Sequence, residues 1–405
     1  MVTKKKENDM LQSHVCSNIE PDSFKSGEHI GKSIKSKLTK TSIIFIYISE
    51  THEHSELVKG VKSVLGEVNI IGNTSSCGVI TPNGYLFNRE GFACALAIYD
   101  AQLEVRTSLV SNASEQSDSL EAYTLGLKLG HSLNQGLVVS EQQPAFLHMV
   151  SSPGEEESYL EGISQKTGRL PLFGGSAADN SVQGSWALFT QSESTRNGAA
   201  AALFLSNKKI VNQYADGYHE SINMGLVTKM KGKRVVCEIN NQPALKQYAE
   251  WIGETVESLR GDQLLTKSIL KPIGIKDITG SLTAIRHPLV GYDDMSMSVG
   301  NDICEGSSFI QMSATKAELI GAVRHTIREL FAKMPKEKVG ALHLVHCAGR
   351  RMEIGNEIHQ VHEILQEECG DIPYVVEFTF GEYGYNECSA NTCGGLMLSF
   401  TAFEK

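Results

Sequence analysis

No run of about 20 consecutive apolar residues, the length a membrane-spanning helix needs, occurs anywhere in this 405-residue chain. Its start, MVTKKKENDM, also lacks the apolar core of a secretory signal. A CxxC pair is missing among the nine cysteines, which removes the common zinc and dithiol motifs. The signatures GxSxG, HExxH and Walker A are missing too, and with them the most recognisable hydrolase, metalloprotease and nucleotide-binding classes. Positive charge is scarce, with 37 Lys and Arg against 47 Asp and Glu for a net charge of −10. A nucleic-acid partner needs a basic stripe to replace phosphate counterions, so that class is excluded. Lys4 to Lys6 and the lysines between 25 and 40 read as a solvated arm and helix face.

What is present is ordinary for a globular chain: 41% apolar and 21% charged residues, with length enough for two or three domains and a large core. The cysteines are scattered, and Cys94, Cys237 and Cys347 fall inside apparent strands, where free thiols act as small hydrophobes. That usage points to a reducing, cytoplasmic setting.

The stretch VGALHLVHCAGRR (339–351) reads as a strand at the two-residue period, with Val339, Ala341, His343, Val345 and Cys347 on one face. Leu342, Leu344 and His346 share the other, so both faces are covered. A helix with Ile354, Ile358, Val361 and Leu365 at helical spacing follows, then the strand YVVEFTF (374–380), the turn GEYG (381–384) and a closing strand, LMLSFTAF (396–403). This β-α-β-turn-β order recurs from SIIFIYIS (42–49) to GFACALAIY (91–99), and from AFLHMVSSP (145–153) to AAAALFLS (199–206). The chain therefore predicts an α/β fold of layered mixed β-sheets flanked by helices, built from three diverged modules. The first is expected to end with LEVRTSLV (103–110) and the second with IVNQYADGY (210–218), and residues 1–23, without periodicity, read as a flexible arm.

Each second strand ends in a small-residue turn (74–78, 174–178, 381–384), where backbone N–H groups and hydroxyls can face a ligand. Candidate ligand-binding residues follow: Ser75 and Ser76 in the first turn, Gly175, Ser176 and Asp179 in the second, Glu382 in the third, and Cys347 and Arg350 at the end of the 339–347 strand. Asp179 either meets a ligand or caps its own turn. Arg350 either grips a carboxylate or pairs with Glu382. Cys347 is a packing residue or a thiolate favoured by Arg350. His343 lies ~13 Å from it along the strand and cannot serve it as a base. Cys388 and Cys393 in NECSANTC form a redox pair or two unrelated thiols, and His359, His362 and Glu363 in HQVHE a metal half-site or a solvated helix face. Asp179, Arg350 and Glu382 are expected around one cleft.

The motifs IGNTSSCG, FGGSAAD, LVTKMKGKRVVCEINNQPALKQYAEWIG, HPLVGYDDMSMSVGNDICEGS, HCAGRR and FTFGEYGY occur in the order found in FIST-domain proteins, which the chain resembles over about residues 40–403. The resemblance implies an N-terminal FIST domain over 24–218 and a C-terminal one over 219–405. It also implies a cytoplasmic sensory module that binds a small ligand between the halves, dimerises, and signals to a histidine kinase, a cyclic-dinucleotide enzyme or a chemoreceptor. One branch of the family binds haem and senses nitric oxide; His219, His343, His346 and Cys393 are the axial candidates here. Another branch serves as a protein-recognition adapter, and an enzyme using Cys347 is the remaining alternative. The chain departs from the family pattern in two places: Val79 stands where a Glu follows Gly, and Cys393 and Gly394 stand in place of a His-Asn pair.

Overall fold

A computed structural model of the chain describes residues 10–113, 118–136, 146–277, 279–385 and 391–405. Its first module runs β1 (Gln12–Asn18), α1 (Ser23–Lys37), β2 (Ile43–Ile48), α2 (His54–Leu65), β3 (Ile70–Thr74), the hairpin β4 (Val79–Thr81) and β5 (Gly84–Leu86), and β6 (Ala93–Tyr99). The second repeats the order: β7 (Glu104–Ser111), α3 (Ser119–Asn134), β8 (Phe146–Ser151), α4 (Glu156–Thr167), β9 (Leu172–Ser176), the hairpin β10 (Leu188–Thr190) and β11 (Ser194–Thr195), and β12 (Gly198–Leu205). After β13 (Ile210–Ala215) the third module is interrupted by a sheet of its own. That insertion holds β14 (His219–Lys231), β15 (Val235–Ile239), β16 (Gln242–Pro243), α5 (Ala244–Ile252), α6 (Gln263–Ser268), β17 (Ile273–Lys276), β18 (Leu282–Arg286), β19 (Pro288–Gly291), β20 (Met297–Val299) and β21 (Ser308–Ser313). The module resumes with α7 (Lys316–Lys333), β22 (Val339–Cys347), α8 (Ala348–Ile354), α9 (Ile358–Cys369), β23 (Tyr374–Thr379), the hairpin β24 (Glu382–Gly384) and β25 (Thr392–Gly394), and β26 (Leu398–Glu404).

The three module sheets share one strand order: β1-β6-β2-β3-β10-β11, β7-β12-β8-β9-β24-β25 and β13-β26-β22-β23-β4-β5. In each the two strands joined by a helical crossover, β2 and β3, β8 and β9, β22 and β23, are parallel. The hairpin after each second strand does not return to its own sheet. It extends the next one cyclically, so that β4-β5 joins the third sheet, β10-β11 the first and β24-β25 the second.

Three expectations are corrected. Residues 12–18 are not part of a flexible arm: β1 pairs along its whole length with β6, and the Ser13 hydroxyl donates to the Gly340 carbonyl at 2.6 Å. Its half-buried, mostly polar sequence hides an edge strand. The other two concern β7 and β13, which pair with β12 and β26 and so open the second and third modules instead of closing the first and second.

The apolar runs explain the layering. All six residues of β2 (IIFIYI) and all nine of β22 are buried, one face toward the helices and the other toward a common centre. Phe45, Phe146, Phe173, Phe204, Val375 and Phe403 from all three sheets make up that centre. The helix pairs cover the outside. Where α1 crosses α2, and α3 crosses α4, glycines let the backbones touch, since a Cβ on Gly60 would sit 2.1 Å from the Phe24 carbonyl oxygen and one on Gly162 2.2 Å from that of Tyr123. The inserted sheet has a separate core around Val236, Leu245, Tyr248 and Phe309. Among the described residues, no helix is long and apolar enough to cross a membrane.

Candidate functional site

The three turns after β3, β9 and β23 meet and are stitched by main-chain bonds. Ser76 N–H donates to the Phe378 carbonyl (3.0 Å), Ala178 N–H to that of Thr74 (3.1 Å) and Ser176 N–H to that of Gly381 (2.8 Å). Asn180 joins the first two turns: its Oδ1 accepts the Cys77 N–H at 2.6 Å, while Glu50 accepts both its own N–H and its amide.

Over these turns, roofed by the inserted sheet, lies a cavity of about 590 Å³. Its wall is mostly apolar, with Val182, Trp186, Leu265, Leu289, Met352 and Phe380 prominent, and takes residues from both halves of the chain. Ser76, Cys347, His287, Asn301 and Arg351 supply polar positions. Two donors there lack partners: Nδ2 of Asn301, a residue 1% exposed, and Nε of Arg351. The rest of the Arg351 guanidinium is fixed, donating to the Tyr85 hydroxyl (2.7 Å) and the Gly355 carbonyl (3.1 Å). His287 Nε2 bonds the Leu265 carbonyl at 2.8 Å, and burial pushes the imidazole down to about 4, so it stays neutral.

One wall is closed by an ion cluster. Arg234 donates to Glu156, Glu157 and Asp302, each at 2.8 Å, and to the Gly300 carbonyl at 2.6 Å. The cluster ties α4 of the second module to the insertion. Burial works against the Arg234 charge, but the three carboxylates outweigh it and hold the group above its ordinary range. Glu157 is pushed up to about 7, first by burial and then by Glu156 and Asp302, with Arg234 opposing.

Of the residues singled out in the sequence, Ser76 and Cys347 line this cavity. Ser75 sits behind it, donating to the Gly78 carbonyl (2.7 Å) and accepting the Phe378 N–H (2.8 Å). Gly175 allows the third module close, since a Cβ would meet Thr379 Cγ2 at 2.6 Å. The Ser176 hydroxyl donates to Glu156 at 2.8 Å. Asp179 caps its own turn, its carboxylate accepting four main-chain N–H groups, from Ser181, Val182, Gln183 and Ser185. Those bonds hold Val182 at φ 57°, a left-handed conformation that a β-branched residue adopts only when held. Arg350 is fully buried and spends its terminal nitrogens on the carbonyls of Asp216, Leu396 (3.2 Å) and Leu319 (3.0 Å). Glu382 accepts from the Thr379 hydroxyl and the Met397 N–H, each at 2.9 Å. Asp179, Arg350 and Glu382 thus brace the cavity from behind, and none of them faces it. Burial pushes the Cys347 thiol far up, with Glu382 adding to the rise, so it is not a thiolate.

The HQVHE histidines point elsewhere, His359 to the Asn356 carbonyl and His362 to that of Pro82. Cys388 lies outside the described residues. None of the four axial candidates for haem lines the cavity: His219 is exposed beside Glu318, and His343, His346 and Cys393 are buried in the sheets. Those residues do not fit a haem held there.

Sequence reasoning missed Arg234, His287, Asn301 and Arg351. Arg234 and Asn301 lie within the quoted motifs LVTKMKGKRVVCEI and SVGNDICEGS, where an Arg between strands and an Asn in a turn carry no spacing signal of their own.

A FIST N domain matches residues 42–242 and a FIST C domain residues 244–385. No curated protein matches the chain. Among solved structures, a cyanuric acid hydrolase from A. caulinodans aligns with 98% of this chain and 100% of its own at 8% identity and TM-score 0.41. Phosphoribosylformylglycinamidine synthase II from Thermotoga maritima aligns with 97% of this chain and 72% of its own at 8% identity and TM-score 0.22. At those scores neither likeness bears on function.

Proposed function

The chain belongs to the FIST family, whose domains are small-ligand sensory domains of signalling proteins, and we propose that its ligand is a small, largely apolar molecule carrying one acceptor group such as a carboxylate. The observation that carries this reading is a mostly apolar cavity between the halves, lined by two residues, Asn301 and Arg351, that each keep a buried donor, Nδ2 and Nε, without a partner. Cavities of this size take molecules of drug-like dimensions, and a few convergent polar groups fix their orientation. The reading is of binding and not catalysis, because Cys347 is held as a thiol and its polar neighbour is the carboxyl of Glu382. Ligand spanning modules and insertion favours one arrangement of the two, and a separate signalling protein reads the difference.

Thermal-shift and calorimetric titration with short aromatic and aliphatic carboxylates, each against its amine counterpart, tests this. Carboxylates are expected to raise the melting temperature, and Arg351→Gln to weaken their binding by about tenfold or more, as loss of a charge-assisted bond does. Equal response to amines and carboxylates, or an unchanged affinity in Arg351→Gln, overturns the assignment.

A further inference from the structure

A second polar cluster lies where the three module sheets meet, sealed from solvent. His148 on β8, His343 on β22 and Glu377 on β23 are each 0% exposed. One donor atom from each falls within 4.8 Å of the others, and among the described residues no other group of His, Cys, Asp and Glu is arranged to hold a metal ion. His343 Nε2 stands 3.5 Å from Glu377 Oε1 and also touches the hydroxyl of Tyr47, which β2 of the first module supplies. Asn73, from β3, donates to the other Glu377 oxygen at 2.9 Å and so aims Oε1 inward. Phe45 and Phe173 flank the imidazoles with ring centroids about 5 Å away.

The chain does not satisfy this cluster. Both nitrogens of His148, Nδ1 of His343 and Oε1 of Glu377 have no hydrogen-bond partner, in a dry aromatic surround where an unpaired polar group is costly. Protonating Glu377 adds one O–H and serves one acceptor, whereas an ion draws on one atom from each of the three residues at once; in either case one ring nitrogen of His148 keeps no partner.

We propose that His148, His343 and Glu377, with the Tyr47 hydroxyl as fourth donor, hold a divalent transition-metal ion of the zinc type. Two imidazoles, a carboxylate and a further oxygen make a tetrahedral zinc donor set, and bond lengths of about 2.0–2.2 Å put neighbouring donors roughly 3.3–3.5 Å apart. The His343–Glu377 separation already has that value; His148 has to move in from within 4.8 Å, and the Tyr47 hydroxyl, in hydrogen-bond contact with His343 Nε2, has to move outward to ligate beside it. Asn73 plays the outer-shell part, fixing the carboxylate. Because the donors come from all three modules, the ion cross-links the sheets. With no exposed ligand, it enters as the chain folds.

Elemental analysis of protein produced in zinc-supplemented medium tests the proposal. The expected result is one zinc per chain that EDTA removes only together with unfolding, and a lower melting temperature in protein made under zinc depletion. Glu377→Gln, nearly isosteric, and His148→Phe, which fills the same space, are each expected to lose the metal, and Asn73→Ala to weaken it by about 10–100-fold. Substituting cobalt is expected to give the intense visible bands of a tetrahedral site in the wild type alone. If His148→Phe fails to fold, Glu377→Gln and the cobalt spectrum decide. Wild-type protein without stoichiometric metal, metal stripped by EDTA from the folded chain, or metal retained by Glu377→Gln overturns the site.

Discussion

The cavity and the sealed centre both leave polar groups unpaired, but one opens to solvent and the other does not. At the cavity the unpaired donors are two, Asn301 Nδ2 and Arg351 Nε, and the charged groups around them are saturated: Arg234 by three carboxylates, Asp179 by four N–H groups. At the centre the deficit falls on the imidazoles and the carboxylate themselves. A deficit in residues that border an open cavity is suited to a guest that comes and goes. A sealed deficit can be met only by something built in, so the first region is read as the sensor and the second as part of the frame.

Breaking that contrast is most damaging at Arg234. Removing its guanidinium leaves Glu156, Glu157 and Asp302 facing one another without a cation between them, which turns the saturated wall into an unsatisfied one. Arg234→Leu is expected to cost about 3–5 kcal/mol, the usual loss when one member of a buried ionic cluster is deleted. Chemical denaturation measures it. A loss below about 1 kcal/mol would make the cluster an ordinary surface network. Lys233, 3.3 Å from Asp302, is half-exposed and too loosely held to replace Arg234.

A smaller effect is expected at Asp179. Asp179→Ala removes the acceptor for four N–H groups and frees Val182 from its left-handed conformation, at a cost of about 1.5–3 kcal/mol. Carboxylate ligands are expected to bind more weakly as well, because Val182 and Asn180 on that loop shape the cavity mouth. A ligand-affinity loss with an unchanged melting temperature would instead mean that Asp179 itself meets the ligand.

Much of the frame was legible. Runs such as IIFIYI and LHLVHC, too apolar for a half-exposed strand, announced two-sided burial, and the repeated strand-helix-strand-turn order announced three modules. The cyclic exchange of hairpins was not, because pairing between distant segments leaves no local trace: β10 meets β3 more than a hundred residues away. The site was legible as a region and less so residue by residue. Small turns announced where the chain comes close, but Asp179 and Arg350 look identical in sequence whether they face a ligand or cap main-chain groups. His148 shows the same limit. Nothing in AFLHMV marks it until the fold brings His343 and Glu377 beside it.

Glu382 sharpens the contrast through pH, because it is buried yet hydrogen-bonded. Burial pushes its carboxyl up from 4.5 to about 8, while the Met397 N–H, the Thr379 hydroxyl, the Cys347 thiol and the Arg350 charge oppose the rise without cancelling it. In the unfolded chain this carboxyl loses its proton near 4.5, whereas in the folded chain it keeps it to about 8. Between those values the folded state binds the extra proton, so stability falls as pH rises. The contribution is complete below about pH 4.5, declines through neutrality and is gone above about pH 8. Glu382→Gln, which keeps the shape and is neutral at every pH, is expected to flatten this part of the profile and to match or exceed the wild-type melting temperature near pH 8. Melting curves at unit pH steps, wild type against variant, measure the difference. Parallel profiles would mean that Glu382 is ionised in the folded chain and that Arg350 compensates it more fully than the carbonyls around that guanidinium suggest.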